Sequence, residues 1–250
     1  MRKILLPVFA VCTLFLAGCF ESTQEITLKA DGSGDVSYTN DLSAMIGLVK
    51  NMGGGAELEK AGDAVIDSTV SMKEGADSIP NLSPEEKEMV RKGTLHIQAN
   101  LKEEIFVTKL SFPFSKPSQI PTYNKLSNKI MSEVMKEKME DAPMENDQMP
   151  EPTSLDDYYI LEFSNGELNR KINKEKYAGV ESDQYLKTMK EAASMGLTMK
   201  ANYVINLPRP ATKVEGKNVK LSDDKKKVTI SADIDDFFED ASALEFKIKY

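Results

Sequence analysis

Apolar residues follow three rhythms along this chain. The first is unbroken: from Ile4 to Ala17 every residue is apolar except Thr13. The second alternates, as in strands with one face on a core. In "EITLKADGSGDVSYTNDL", Ile26, Leu28 and Ala30 share a side, a Gly-rich turn follows, and Val36 and Tyr38 return on the other arm of a β-hairpin. Residues 65–72 alternate with Ile66, Ser68, Val70 and Met72 on one side. Leu95, Ile97 and Ala99 form the next strand. Phe106, Thr108, Leu110 and Phe112 then make an inner face, against Ile105, Val107 and Lys109 on the other. Asn165-Gly166, inside "DYYILEFSNGELNRKIN", predicts another hairpin. "MKANYVINLP", "KKVTISADI" and "ALEFKIKY" make the end of the chain strand-rich, with turns at 208–210 and 222–224.

The third rhythm is helical. Residues 42–52 place Ala44, Met45, Leu48 and Val49 on one face, and Gly53–Gly55 end the pattern. "LSPEEKEMV" carries a full start signal: Ser83 as N-cap, Pro84 at the first helical position and Glu86 closing a capping box. Residues 117–140 put Tyr123, Leu126, Ile130, Val134 and Met135 on a broad stripe, and 174–195 offer Tyr177, Val180, Tyr185 and Met189. Between these helices "EDAPMENDQMPEPTSLDD" has no period and reads as an exposed acidic, Pro-rich loop at about 140–155. The expected fold class is α+β over residues 25–250 as one domain. It is an antiparallel sheet built from hairpins and a C-terminal meander, with helices packed on one face.

The opening run is too short to span a bilayer, which takes about 20 apolar residues. Behind the positive head Arg2-Lys3, it reads as a secretory signal. It ends Leu16-Ala17-Gly18-Cys19. That order of residues resembles the lipobox of bacterial lipoproteins. The resemblance implies cleavage between Gly18 and Cys19, removal of residues 1–18 as a signal peptide, and acylation of the Cys19 thiol, a palmitate-type modification. Residues 19–24 then read as a short lipidated tether. Cys12 leaves with the signal, so the mature chain holds one cysteine and no disulfide. Phe20 stands where some diderm bacteria place Asp to keep a lipoprotein in the inner membrane, which points to the outer membrane of the cell envelope. The strand–turn pattern around "DGSGD" and the "LPRPATKVEGKNVKLSDDKKKVTI" segment resemble LppM-type envelope lipoproteins. That resemblance implies a mixed α/β domain for an amphiphilic or lipid-like ligand.

Charge narrows the partners. The net charge is −8, and it becomes −10 without residues 1–18, which carry two basic residues and no acid. Such a body has no electrostatic reason to bind nucleic acid or an anionic surface. Its expected partners are the membrane, through the lipid anchor, and a lipid-like or protein ligand. Candidate chemistry is sparse. His96 is the single histidine and alternates away from Leu95 and Ile97. "DGSGD" lacks the Gly and Glu that an EF-hand needs at its sixth and twelfth places. Asp233, Asp235, Asp236, Glu239 and Asp240 read as a solvated turn before a Ca²⁺ site. Ser222 and Lys225 fit a bare S-x-x-K without its companion motifs. Met131, Met135 and Met139 recur at helical spacing and read as packing before copper ligands. The last strand, Leu244 to Tyr250, reads as an ordinary strand with Glu245, Lys247 and Lys249 on a wet face.

The sequence therefore predicts no catalytic residue, no metal ligand and no cofactor. Its site residues are Cys19 for lipidation and Gly18–Cys19 for cleavage. The expected function is an uncharacterised, non-enzymatic binding or assembly module on the envelope. A lipid or amphiphile carrier is the alternative, and a hydrolase with an unrecognised site the second one.

Overall fold

The computed structural model describes residues 18–50, 65–140, 153–194 and 197–250. The signal run, the Gly53–Gly55 stop and most of the acidic Pro-rich loop lie outside the described residues. The strands are β1 (Gly18–Leu28), β2 (Gly34–Asp41), β3 (Val65–Ser71), β4 (Thr94–Asn100), β5 (Ile105–Phe114), β6 (Tyr159–Ser164), β7 (Glu167–Ile172), β8 (Leu197–Asn206), β9 (Lys213–Glu215), β10 (Val219–Leu221), β11 (Lys227–Asp233) and β12 (Phe246–Lys249). The helices are α1 (Ser43–Val49), α2 (Pro84–Val90), α3 (Ile120–Glu140), α4 (Lys174–Tyr177), α5 (Gln184–Ser194) and α6 (Ile234–Glu239).

Eight strands form a large sheet in the order β10-β11-β8-β1-β2-β5-β4-β3, and four form a small one, β6-β7-β12-β9. Alternation decides what each strand buries. Ile26 pairs with Val36, Val36 with Phe112, and Ile205 with Val228, so one face of the large sheet is apolar across β11, β8, β1, β2 and β5. These side chains are buried. Each such burial contributes about 1.5–3 kcal/mol. α3 lies on that face. Its Ile120, Tyr123, Leu126 and Ile130 are buried, and the Tyr123 ring stacks on Phe112 with centroids 5.0 Å apart. The small sheet closes the rest of the face through Phe163 and Phe246, the latter packing against Tyr203 of β8. A second aromatic knot gathers Tyr158, Tyr159, Tyr177 and Phe238 around Phe237.

The α+β class holds, with four corrections. β1 and β8 run parallel, Ile26 beside Ile205, so the large sheet is mixed. The C-terminal strands do not form one meander. β12 leaves β11 and pairs with β7 and β9, because its Phe246 and Ile248 are buried in the small sheet. The 174–195 helix breaks into α4, a 3₁₀ turn at Val180–Ser182, and α5. Asp183 stops the first part and caps the second, its Oδ1 accepting from the Leu186 amide at 3.0 Å. Finally, residues 19–24 are not a tether. They belong to β1, held on one side by β2 and on the other by β8.

Both sequence-predicted hairpin turns form, and they meet. Gly32 has φ +85° and Gly166 φ +94°, the left-handed region that favours glycine. The Asn165 side chain comes within 3.1 Å of where a Cβ on Gly32 would be. The β1–β2 turn therefore touches the β6–β7 turn and fixes one sheet against the other.

Candidate functional site

Between the two sheets the apolar packing gives way to a buried polar cluster. β7 alternates Leu168, Arg170 and Ile172 inward, so the strand's own period carries Arg170 into the core, where it is 1% exposed. The 3₁₀ turn Leu155–Tyr158 before β6 brings Asp156 to it, and Arg170 Nη1 donates to Asp156 Oδ1. The Tyr203 hydroxyl, from β8, donates to the same oxygen at 2.8 Å. Asp156 Oδ2 accepts from the Asn124 amide on α3. Asn124 Oδ1 in turn accepts from the Tyr38 hydroxyl at 2.6 Å and from Gln24 Nε2 at 2.9 Å. The guanidinium carbon lies 3.8 Å from the Tyr159 ring centre and 4.5 Å from that of Tyr203. The cation is therefore faced by the negative sides of two π-systems.

The electrostatics are those of a fixed pair. Burial opposes the Arg170 charge, but Asp156 more than offsets it, and the guanidinium pKa ends above its ordinary value. Burial pushes the Tyr203 and Tyr38 hydroxyls well up, with Asp156 adding to it. Arg170, Tyr203 and Tyr38 are thus each driven further from neutral pH. The arrangement can hold two sheets and α3 in register.

The sequence-predicted positions fall elsewhere. His96 lies on the other face of the large sheet, as its alternation implied. Its Nδ1 is 2.9 Å from Thr69 Oγ1, and its Nε2 is 3.6 Å from Asp67 Oδ1. That is the order of a hydroxyl–imidazole–carboxylate relay, laid on an open sheet surface beside edge strand β3, every residue of which is exposed. The acidic run is spent on local caps. Asp236 accepts from the Asp233 amide at 3.2 Å. Asp240 accepts from the Ser242 amide and hydroxyl and from Lys217, which holds its carboxyl down at about 2. Ser222 donates to Asp224 within a turn at 2.6 Å. Among the described residues no three His, Cys, Asp or Glu side chains converge as metal ligands would. Met131 is partly buried on α3, while the side chains of Met135 and Met139 lie outside the described residues, as do Met144 and Met149.

The space beneath α3, where a lipid carrier would hold its ligand, is filled by Phe112, Tyr123 and Leu126, each at most 2% exposed. A shallow polar depression of about 310 Å³ lies over the small sheet, lined by Glu162, Ser164, Glu167, Asn169 and Lys247 together with Phe163. Cys19 is the second residue of β1, paired with Thr198 of β8. No described helix is long and apolar enough to cross a membrane.

Fold and site together define a two-sheet α+β body pinned by a buried Arg–Asp–Tyr–Asn cluster, with Cys19 near the head of an interior strand. No family model and no curated protein matches the sequence. Among solved structures the chain is similar to the folded domain of LppM from Mycobacterium tuberculosis, determined by NMR. The two share 9% identity with a TM-score of 0.35, and the match covers 94% of this chain and 92% of that one.

Proposed function

We propose that this chain is an envelope lipoprotein, lipidated on Cys19, whose folded body is a non-enzymatic binding or assembly module. The observation that carries the reading is the ordered signal Arg2-Lys3, the apolar run to Ala17, and Leu16-Ala17-Gly18-Cys19. Each part has a physical purpose. The positive head and apolar run engage the export machinery, and the small residues let the backbone enter a protease cleft. The thiol forms a stable thioether to lipid. One acyl chain gives marginal binding, whereas two or three on one residue hold firmly, at about 0.8 kcal/mol per buried methylene. Phe20 in place of Asp extends the proposal to the outer membrane. The non-enzymatic reading is supported by how the polar groups are used. The buried cluster is locked, and the acidic run caps turns.

Intact-mass analysis of protein extracted from membranes tests the anchor. The wild type is expected to begin at Cys19 and to carry the mass of two or three acyl chains. Cys19→Ser is expected to lose that mass and to leave the membrane. A Cys19→Ser protein of unchanged mass and unchanged membrane association overturns the reading.

A further inference from the structure

We infer that the end of the large sheet where β1 begins rests against the bilayer itself, with Val65, Ile66 and Ile105 in contact with lipid. This rests on the anchor proposed above and goes further, because an anchor alone leaves the body free to hang from it in any orientation.

Register supplies the argument. Glu21 pairs with Asp41, and Asp41 with Val107. Two residues outward on each strand lie Cys19, Ser43 and Ile105. Ile105 pairs with Asn100, and Asn100 with Val65. On the other flank Cys19 pairs with Thr198. One row across the sheet therefore runs Thr198, Cys19, Ser43, Ile105, Asn100, Val65. Cys19 and Val65 are four strand spacings apart, about 19 Å. No flexible segment intervenes between Cys19 and the sheet, since β1 is already paired there. Lipid chains leaving Cys19 must enter the membrane alongside this row.

The row carries no charge, and its β3 and β5 members are apolar. Val65 is 70% exposed and Ile66 44%, while Ile105, Leu42 and Leu101 are partly exposed. α1, with the sequence SAMIGLV, carries no charge. It is pinned at this end, because the Leu42 amide donates to the Phe106 carbonyl at 2.9 Å and Lys50 pairs with Glu104 at 2.8 Å. Along β8, β1, β2 and β3 charge begins two residues further in, at Lys200, Glu21, Asp41 and Asp67, about 7 Å deeper into the body, while the β4–β5 turn with Lys102, Glu103 and Glu104 projects outward of the row. An uncharged band of that thickness along these strands matches the 5–10 Å to which interfacial segments sink between headgroups and acyl chains. Lys50, Lys102, Glu103 and Glu104 border it with balanced charge, which suits a zwitterionic headgroup layer.

The test uses the full lipidated protein in phosphatidylcholine vesicles that contain a fraction of lipid brominated or spin-labelled in the acyl chain. Val65→Cys supplies a free thiol for a fluorophore, because the Cys19 thiol is acylated and Cys12 departs with the signal. Asp223→Cys, exposed in the β10–β11 turn at the opposite end, is the control. The expected result is loss of emission at position 65 and unchanged emission at 223. Co-sedimentation with vesicles and the acyl mass are read on the same samples. Protein that sediments with its acyl mass yet shows no quenching at 65, or equal quenching at both positions, overturns this inference and leaves the anchor standing. Protein without acyl mass that stays in solution overturns both. Shielding at 65 that persists in detergent and grows with protein concentration assigns the surface to a second copy pairing along β3, and overturns contact with lipid.

Discussion

Arg170 sits at 1% exposure among aromatic rings, where a free guanidinium would cost several kcal/mol of lost hydration. Its Nη1 bond to Asp156 and the faces of Tyr159 and Tyr203 offset that loss. Removing one partner strands the other. Arg170→Met is expected to destabilise the fold by about 3–5 kcal/mol, read as a lower denaturant midpoint. Arg170→Met with Asp156→Asn is expected to recover part of it, because no lone carboxylate is then left buried. Equal losses in the single and double variants would show that packing, not charge, sets the cost. The inward direction of Arg170 was legible in the sequence, since it alternates with Leu168. Its partners were not. Asn124 is 46 positions away on a helix stripe read as apolar, and Asp156 closes a stretch whose composition spoke only of an exposed loop.

α2 shows how far local chemistry reaches at the scale of an element. Ser83, Pro84 and Glu86 announce its start, and the reciprocal bonds form, Glu86 N to Ser83 Oγ at 3.2 Å and Ser83 N to Glu86 Oε2 at 2.7 Å. What no local pattern could show is Lys129 of α3, which donates to the same Glu86 oxygen at 2.8 Å. The Lys129 bond, helped by the Ser83 amide, holds the Glu86 carboxyl below its ordinary 4.5. A depressed carboxylate stabilises the fold above its unfolded pKa, and that contribution fades as pH falls through the folded one. Glu86→Gln is therefore expected to lower stability at pH 7 by about 0.5 kcal/mol. The gap should narrow below about pH 4.5, as thermal melts of both proteins across pH would show. The parallel pairing of β1 with β8 was illegible for a related reason. Alternation tells a strand which side to bury, but not which distant edge it will join.

At the scale of the whole molecule, strand order ranks local stability. β1, β2 and β8 are flanked on both sides, while β3 is an edge strand exposed at all seven positions. Amide hydrogen exchange read by mass spectrometry is expected to be slowest in β1, β2 and β8 and fast in β3. Equal protection in β1 and β3 would contradict the strand order. An edge strand with Val65, Ile66 and Val70 showing is also an invitation to pairing, and it carries Asp67 as its one charge against that hazard.

The union of Cys19 with an interior strand has a mechanical side. With the proposed anchor, a pull on Cys19 would run along β1, which is bonded to β2 and β8 over nearly its full length. The strain would fall on both ladders together, as shear, instead of peeling them open one rung at a time. A body anchored in this way would meet such a pull with both ladders at once.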